Sequence, residues 1–188
     1  LVSRLSRIGP ADVAARIDDI DQVLAIAPAG RSVDATLAAL TYRHEDLALC
    51  GRRDGSRRAL DEAVALAERS QHPYWSWATA AWRGLEALID GDLDEAEARA
   101  FDAAARQGSE GGAQACLGVN LVNVRLYQGR SGEVLELLEA AADAEPHIPC
   151  YRAVLALCAA EAGDTDLASR SYEPFRSTAF DVIPYDTN

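Results

Sequence analysis

Gly91-Asp92-Leu93-Asp94-Glu95-Ala96 is the stretch on which the fold turns. Glycine tolerates the left-handed conformation that ends a helix. An Asp followed three residues later by Glu satisfies the orphan amides of a new helix, a capping-box pattern. The small apolar residue five positions after the glycine then opens a buried face. The same form returns in Gly129-Arg130-Ser131-Gly132-Glu133-Val134 and Gly163-Asp164-Thr165-Asp166-Leu167-Ala168, at intervals of 38 and 34 residues. Gly51, Gly91, Gly129 and Gly163 each follow a helical run, where a left-handed residue would end it, and Gly55, five before Leu60, extends the repeat series backwards by 36.

The apolar spacing between these turns is helical. Val13, Ile17, Ile20, Leu24 and Ala27 step by four and three, as do Val33, Leu37, Leu40, His44 and Leu47. Trp75, Ala78, Trp82, Leu85 and Ile89 follow, then Leu93, Ala96, Ala100 and Ala103, and finally Tyr151, Leu155, Cys158 and Ala162. Roughly a fifth of the chain is Ala and no stretch alternates with period two, so an all-α protein is expected. Pro10, Pro73 and Pro146 sit where a first helical turn tolerates a missing N–H. The implied connections are a few residues long, which makes successive helices antiparallel neighbours.

Helix–turn–helix recurrence near 34 residues is the tetratricopeptide signature. Gly84, Ala96 and Ala103 match its small residues, where the two helices of a unit cross closely. Ala48, Leu60 and Ala67 fall on the same offsets, as do Val122, Val134 and Ala141, then Ala156, Ala168 and Phe175. The expectation is a tetratricopeptide-like α-solenoid of about four to five antiparallel helix pairs, beginning near residues 10, 32, 73, 110 and 147. Residues 1–188 form one such domain, with the repeats clearest over 31–188 and a first pair within 1–30. Without an initiator Met, the chain is expected to be a piece of something longer. No terminal cap follows Tyr172 and Phe175, so self-association through an uncapped repeat end is also expected.

Composition excludes several chemistries. All 18 basic residues are Arg, and without Lys there is no phosphate-loop lysine, Schiff-base lysine or kinase-type ATP lysine. A formal charge of −12 opposes nucleic acid and anionic membranes, which require a broad positive field. No apolar run approaches a membrane span and no leader is present, which points to the cytoplasm. Arg52-Arg53-Asp54-Gly55-Ser56-Arg57-Arg58 is a local exception; it reads as a solvated connection between helices, with a phosphate or acidic-partner contact as the alternative. Cys50, Cys116, Cys150 and Cys158 are far apart among Ala, Leu and Val, and are expected as buried free thiols. Neither they nor His44, His72 and His147 show ligand spacing, so no metal and no cofactor are expected.

No nucleophile elbow or basic cysteine neighbourhood is present, and no catalytic residue is assigned. In a solenoid the first helix of each pair lines the concave side, where such proteins bind. Polar residues inside the apolar first helices are therefore the binding candidates: Arg43, His44, Arg83, Asn120, Asn123, Arg125 and Arg152. Structural hydrogen bonding is the competing reading. Trp77 joins them, because Trp75 and Trp77 point in different directions on one helix and cannot share a core seam.

Pro73-Tyr74-Trp75-Ser76-Trp77, with Trp82-Arg83-Gly84-Leu85-Glu86-Ala87-Leu88 and Gly91 to Ala96, resembles the helical-repeat region of large actinobacterial regulators. Arg125-Leu126-Tyr127-Gln128-Gly129-Arg130, Tyr151 to Leu157 and the tail Asp181 to Asp186 fit the same region, so the resemblance covers about residues 34–188. Such regulators, LuxR-type and MalT-like or linked to an adenylate cyclase, join a nucleotide-binding ATPase to tetratricopeptide-like repeats. The resemblance implies that this segment senses a protein partner or small-molecule effector and passes that state to an output domain outside residues 1–188. A self-standing helical adaptor that binds a protein partner is the alternative.

Overall fold

The computed structural model describes residues 13–26, 32–107 and 112–183. Among them it contains nine α-helices and no strand. These are α1 (Val13–Ile26), α2 (Val33–Leu49), α3 (Arg53–Ser70), α4 (Pro73–Asp90), α5 (Leu93–Gln107), α6 (Gly112–Tyr127), α7 (Leu135–Ala144), α8 (Pro149–Ala162) and α9 (Thr165–Ser177). A short 3₁₀ turn, Ser131–Val134, leads into α7. The protein is all-α, as the periodicity predicts. Of the expected first pair within 1–30, residues 1–12, Pro10 among them, and 27–30 lie outside the described residues.

Four helices, α2, α4, α6 and α8, end in the same way. Gly51, Gly91, Gly129 and Gly163 adopt φ of 70, 80, 70 and 82°. At each, the glycine amide bonds three residues back and the next amide five residues back: Gly91 N–H to Leu88 O (3.1 Å) and Asp92 N–H to Ala87 O (3.0 Å) are repeated at the other three turns. This is the Schellman arrangement, which satisfies the last carbonyls of the helix. A Cβ at any of these glycines would have nothing within 4 Å, so glycine is required there for its backbone alone. The following helix is capped where the sequence allows it. Asp92 accepts from Glu95 N–H (3.1 Å) and Asp164 from Leu167 N–H (2.9 Å). Arg130 makes no such cap, and the chain enters α7 through the 3₁₀ turn instead.

The register of the first repeat differs from expectation. Gly55 lies inside α3, where its missing side chain accommodates Leu47, and the turn is made by Gly51. The equivalents of Gly84, Ala96 and Ala103 are therefore His44, Ser56 and Ala63, one helical turn before Ala48, Leu60 and Ala67. Both glycines stand ahead of an apolar stripe, and only the capping geometry separates them. Correspondingly, the arginine-rich stretch is no connection: α3 begins at Arg53, and the segment forms its first turns. Pro149, not Pro146, occupies the first turn of α8. Of the cysteines, Cys158 is buried but Cys50 and Cys150 are exposed near helix ends, and the side chain of Cys116 lies outside the described residues.

Helices pack chiefly on their sequence neighbours, with α4 also touching α6 and the 3₁₀ turn reaching both α6 and α8. The core is accordingly a string of small clusters. Ile20, Val23 and Ala39 join α1 to α2; Leu37, Leu40, Ala63 and Ala67 join α2 to α3, with Trp75 of α4 against them. Val122, Val134, Leu138, Leu155, Cys158 and Leu167 join α6 through α9. Gly84 permits a close approach of α4 and α5: a Cβ there would stand 3.3 Å from Arg99 Cβ and 3.6 Å from the Ala96 carbonyl.

Candidate functional site

Polar side chains concentrate where one helix pair meets the next, and the turn glycines give their register. Asp46 lies five residues before Gly51 and Glu86 five before Gly91. On α1, buried Arg16 forks onto Asp46, with Nε donating to Oδ2 at 3.0 Å. On α3, Arg57 Nε donates to Glu86 Oε2 at 3.1 Å and its Nη2 pairs with Asp90; Arg53 reaches the same two carboxylates at 3.2 and 2.8 Å. A second contact runs the other way. Arg43 and Arg83, each eight residues before its turn glycine, pair with Asp21 of α1 (3.3 Å) and Asp61 of α3 respectively. Two successive interfaces thus carry one ion-pair pattern.

The third interface reverses the sign. Glu97 sits six residues after Gly91, as Arg57 does after Gly51, and receives both terminal nitrogens of Arg125 at 2.6 Å. Arg125 is buried, and also donates to Gln128 Oε1 (2.8 Å) and meets Glu133 from Nε (3.1 Å). The Arg125 and Gln128 hydrogen bonds hold the Glu97 carboxyl down at about 2. At the fourth interface the same position is Leu135, packed on the cluster that contains Cys158 and Ala159.

His44 occupies the close-crossing position of its pair. Its Nδ1 lies 2.8 Å from the Ser56 hydroxyl and 3.3 Å from the Ser56 carbonyl, and the ring stands edge-on to Trp82 with centroids 5.2 Å apart. Burial pushes the imidazole below its ordinary pKa, opposed by the Ser56 carbonyl and Glu86. Glu86 Oε1 approaches the same Nδ1, at 4.0 Å. Serine and carboxylate on one ring nitrogen cannot relay a proton through the imidazole, and Ser56 is wholly buried. The group is a hydrogen-bonded packing element. Its neighbour Glu45 is pushed up to about 7 by burial and by the adjacent Asp46 carboxylate.

A polar hollow of about 390 Å³ opens between α3, α4 and α5. Its charges are engaged: Arg57 with Glu86 and Asp90, Arg83 with Asp61, and Arg99 with Glu95 at 2.8 Å. Among the described residues no group of His, Cys, Asp and Glu is placed to hold a metal ion, and no helix is long and apolar enough to cross a membrane.

Four of the eight expected binding residues, Arg43, His44, Arg83 and Arg125, therefore make helix–helix contacts. Trp77 is half-buried, edge-on to Tyr74 at 5.3 Å, while Trp75 joins the core and donates its indole N–H to Asp34 at 2.9 Å. Asn120 and Asn123 are half-buried on α6 and engaged in contacts. Arg152 lines two hollows flanking α8. The partners Arg16, Asp46, Arg57, Glu86 and Glu97 escaped sequence reasoning. Their signal is present: Asp46 and Glu86, like Arg43 and Arg83, are 40 residues apart, as Gly51 and Gly91 are.

No protein-family model matches this chain, and no curated protein or solved structure is significantly similar to it.

Proposed function

We propose that this chain is a non-catalytic helical-repeat docking module, a tetratricopeptide-like α-solenoid that binds a protein partner or effector for a signalling or transcriptional regulator. The observation that carries the reading is the repetition itself: four identical glycine turns join pairs that pack on their neighbours. An array of this kind stacks units into an extended surface suited to docking. The polar residues between units are turned to one another, which favours stacking over chemistry. What repeats at the surface is apolar. Leu49, Ile89 and Tyr127, each two residues before its turn glycine, are 71, 52 and 70% exposed. Large apolar side chains exposed at one repeated position fit a partner contact better than solvent.

The resemblance to actinobacterial regulators supplies the regulatory context. The intact mass of the native protein, with its sequence read beyond both ends, tests it. A mass several times 20.1 kDa with a phosphate-loop ATPase in the same frame supports the regulator. A mass near 20.1 kDa replaces it with a self-standing adaptor.

A further inference from the structure

Two of the hollows on the array are polar, and they differ in how their charges are answered. In the one between α3, α4 and α5 every arginine is paired with a carboxylate. The other, of about 240 Å³ between α7, α8 and α9, is lined by Arg152 and Arg170 and by Glu139 and Asp143. Although they line one space, none of these four makes an ion pair or hydrogen bond with any described residue. Arg152 stands apart. It is half-buried, whereas the other described arginines without a partner, Arg52, Arg58, Arg69 and Arg170, are exposed. Eleven residues before the other turn glycines stand Leu40, Ala80 and Gly118, so the repeat itself does not require an arginine there. Ser171 lines the same hollow and is only 5% exposed. Its hydroxyl makes no hydrogen bond among the described residues, unlike those of Thr41 and Thr79, which bond back onto their own helices.

We propose that this hollow binds a small zwitterion, a free α-amino acid with an aliphatic side chain. A half-buried guanidinium without a partner is poorly solvated, so it favours an anionic group on the ligand. A carboxylate suits Arg152 and Arg170, whose forked donors match its two oxygens, and Ser171 adds a hydroxyl donor. Glu139 and Asp143 oppose a plain anion such as phosphate, just as the two arginines oppose a plain cation. A ligand with one charge of each sign satisfies both sets, its ammonium lying on the acids. Leu155, Leu167 and Ala142 complete the wall and give the aliphatic side chain a surface to cover. The volume lies below the about 300–1,000 Å³ of sites for drug-sized molecules, which suits a single amino acid. Two successive pairs bound the hollow, so it is not formed by the end of the chain. Val182 of the tail lines the adjoining hollow with Ile148, Pro149 and Phe175, and no described residue of the tail lines this one.

This inference rests on the docking-module reading only in treating the ligand as an effector. The probe is L-leucine, titrated into the ¹⁵N-labelled chain at neutral pH and fixed ionic strength. Saturable amide shifts centred on Asp143, Arg152, Arg170 and Ser171 are expected, with Kd below about 1 mM. N-acetyl-leucine, which lacks the ammonium, and leucinamide, which lacks the carboxylate, should each bind about tenfold more weakly or worse. Arg152→Gln should weaken leucine by a similar factor without lowering the melting temperature, because the guanidinium has no partner to lose in the free protein. Asp143→Asn, on an exposed side chain, should do the same and keeps the test decisive if Arg152→Gln does not fold. No saturable shift with millimolar leucine, or binding indifferent to both substitutions, overturns the proposal. Equal binding of N-acetyl-leucine also overturns it, by reducing the hollow to a plain anion site. So does a deletion of residues 184–188 that moves the Arg170 and Ser171 amides without ligand, by giving the hollow to the chain's own tail. None of these outcomes depends on the mass of the native protein or on docking through Leu49, Ile89 and Tyr127, so failure here is separable from failure of the docking and regulatory readings.

Discussion

Arg125→Met should be among the most damaging single changes in the α4–α7 region. The guanidinium is buried and spends its donors on Glu97 at 2.6 Å twice, Gln128 at 2.8 Å and Glu133 at 3.1 Å. Hydrogen bonds to charged groups contribute about 1.5–3 kcal/mol each, but Glu97 retains access to water and recovers part of its loss by hydration. The net expectation is a destabilisation of about 2–3 kcal/mol, or a melting temperature lower by about 5–10 °C for a chain of this size. Glu97→Gln should lose only about 1 kcal/mol, because Arg125 keeps Glu133 and Gln128. The decisive variant is the exchange, Glu97→Arg with Arg125→Glu. It places an ion pair of the Arg57–Glu86 polarity across α5/α6, one position out of the Glu86 register because Arg125 lies four residues before its turn glycine and Glu86 five, and should recover about half of the summed losses, the rest being withheld by repulsion from Glu133. Thermal melts followed by circular dichroism at 222 nm give all three values. A double variant no more stable than the sum of its singles would refute the claim that residues 97 and 125 act as a pair across this interface. The pH dependence has a definite sign. Glu97 is held at about 2 against 4.5 unfolded, so its contribution is present above 4.5 and lost as pH falls towards 2. The gap between wild type and Arg125→Met should narrow over that interval.

Other expectations follow from single sites. Glu45 is raised from 4.5 to about 7, so the native state holds a proton that the unfolded chain releases, and stability falls as pH rises from 4.5 through 7. Glu45→Gln should remove that slope and exceed wild type by about 1–2 kcal/mol at pH 8 in urea titrations, matching it at pH 4.5. His44 is displaced downwards, so its contribution is whole above 6.5 and declines as pH falls below it. His44→Gln should flatten that acid limb, and an unchanged limb would remove His44 from the account. Gly91→Ala should lose about 1 kcal/mol through backbone strain alone, and Gly91→Asn less, as judged by melting temperature. Gly84→Leu, pressed against Arg99 and the Ala96 carbonyl, should lose about 1–3 kcal/mol or more with the helix content of the folded state retained.

Helix content and most pair boundaries were legible because they depend on short-range physics. The 3.6-residue apolar period, the capping Asp92 and Asp164 and the four helix-ending glycines, Gly51, Gly91, Gly129 and Gly163, act within a few residues of one another. The first repeat was displaced by one turn because Gly51 and Gly55 both precede an apolar stripe, and the hydrogen bond from Arg52 N–H to Leu47 O that selects Gly51 belongs to backbone geometry. Polar residues within the apolar first helices stand out in the sequence. Their use was not legible, since Arg125 looks like a groove residue until Glu97, 28 positions earlier, is seen beside it. Exposed Cys50 and Cys150 were hidden for a related reason: apolar sequence neighbours at a helix end need not share its buried face.

The central claim is that one register, counted from Gly51, Gly91, Gly129 and Gly163, sets every pair and seats the next helix upon it. Inter-helix nuclear Overhauser effects on the isotopically labelled chain test it most directly. The account predicts contacts of 44 with 56, 84 with 96, 122 with 134 and 156 with 168, and of Trp82 with His44. A contact of Ala48 with Leu60 in place of His44 with Ser56, or strong contacts between α2 and α8, would contradict it.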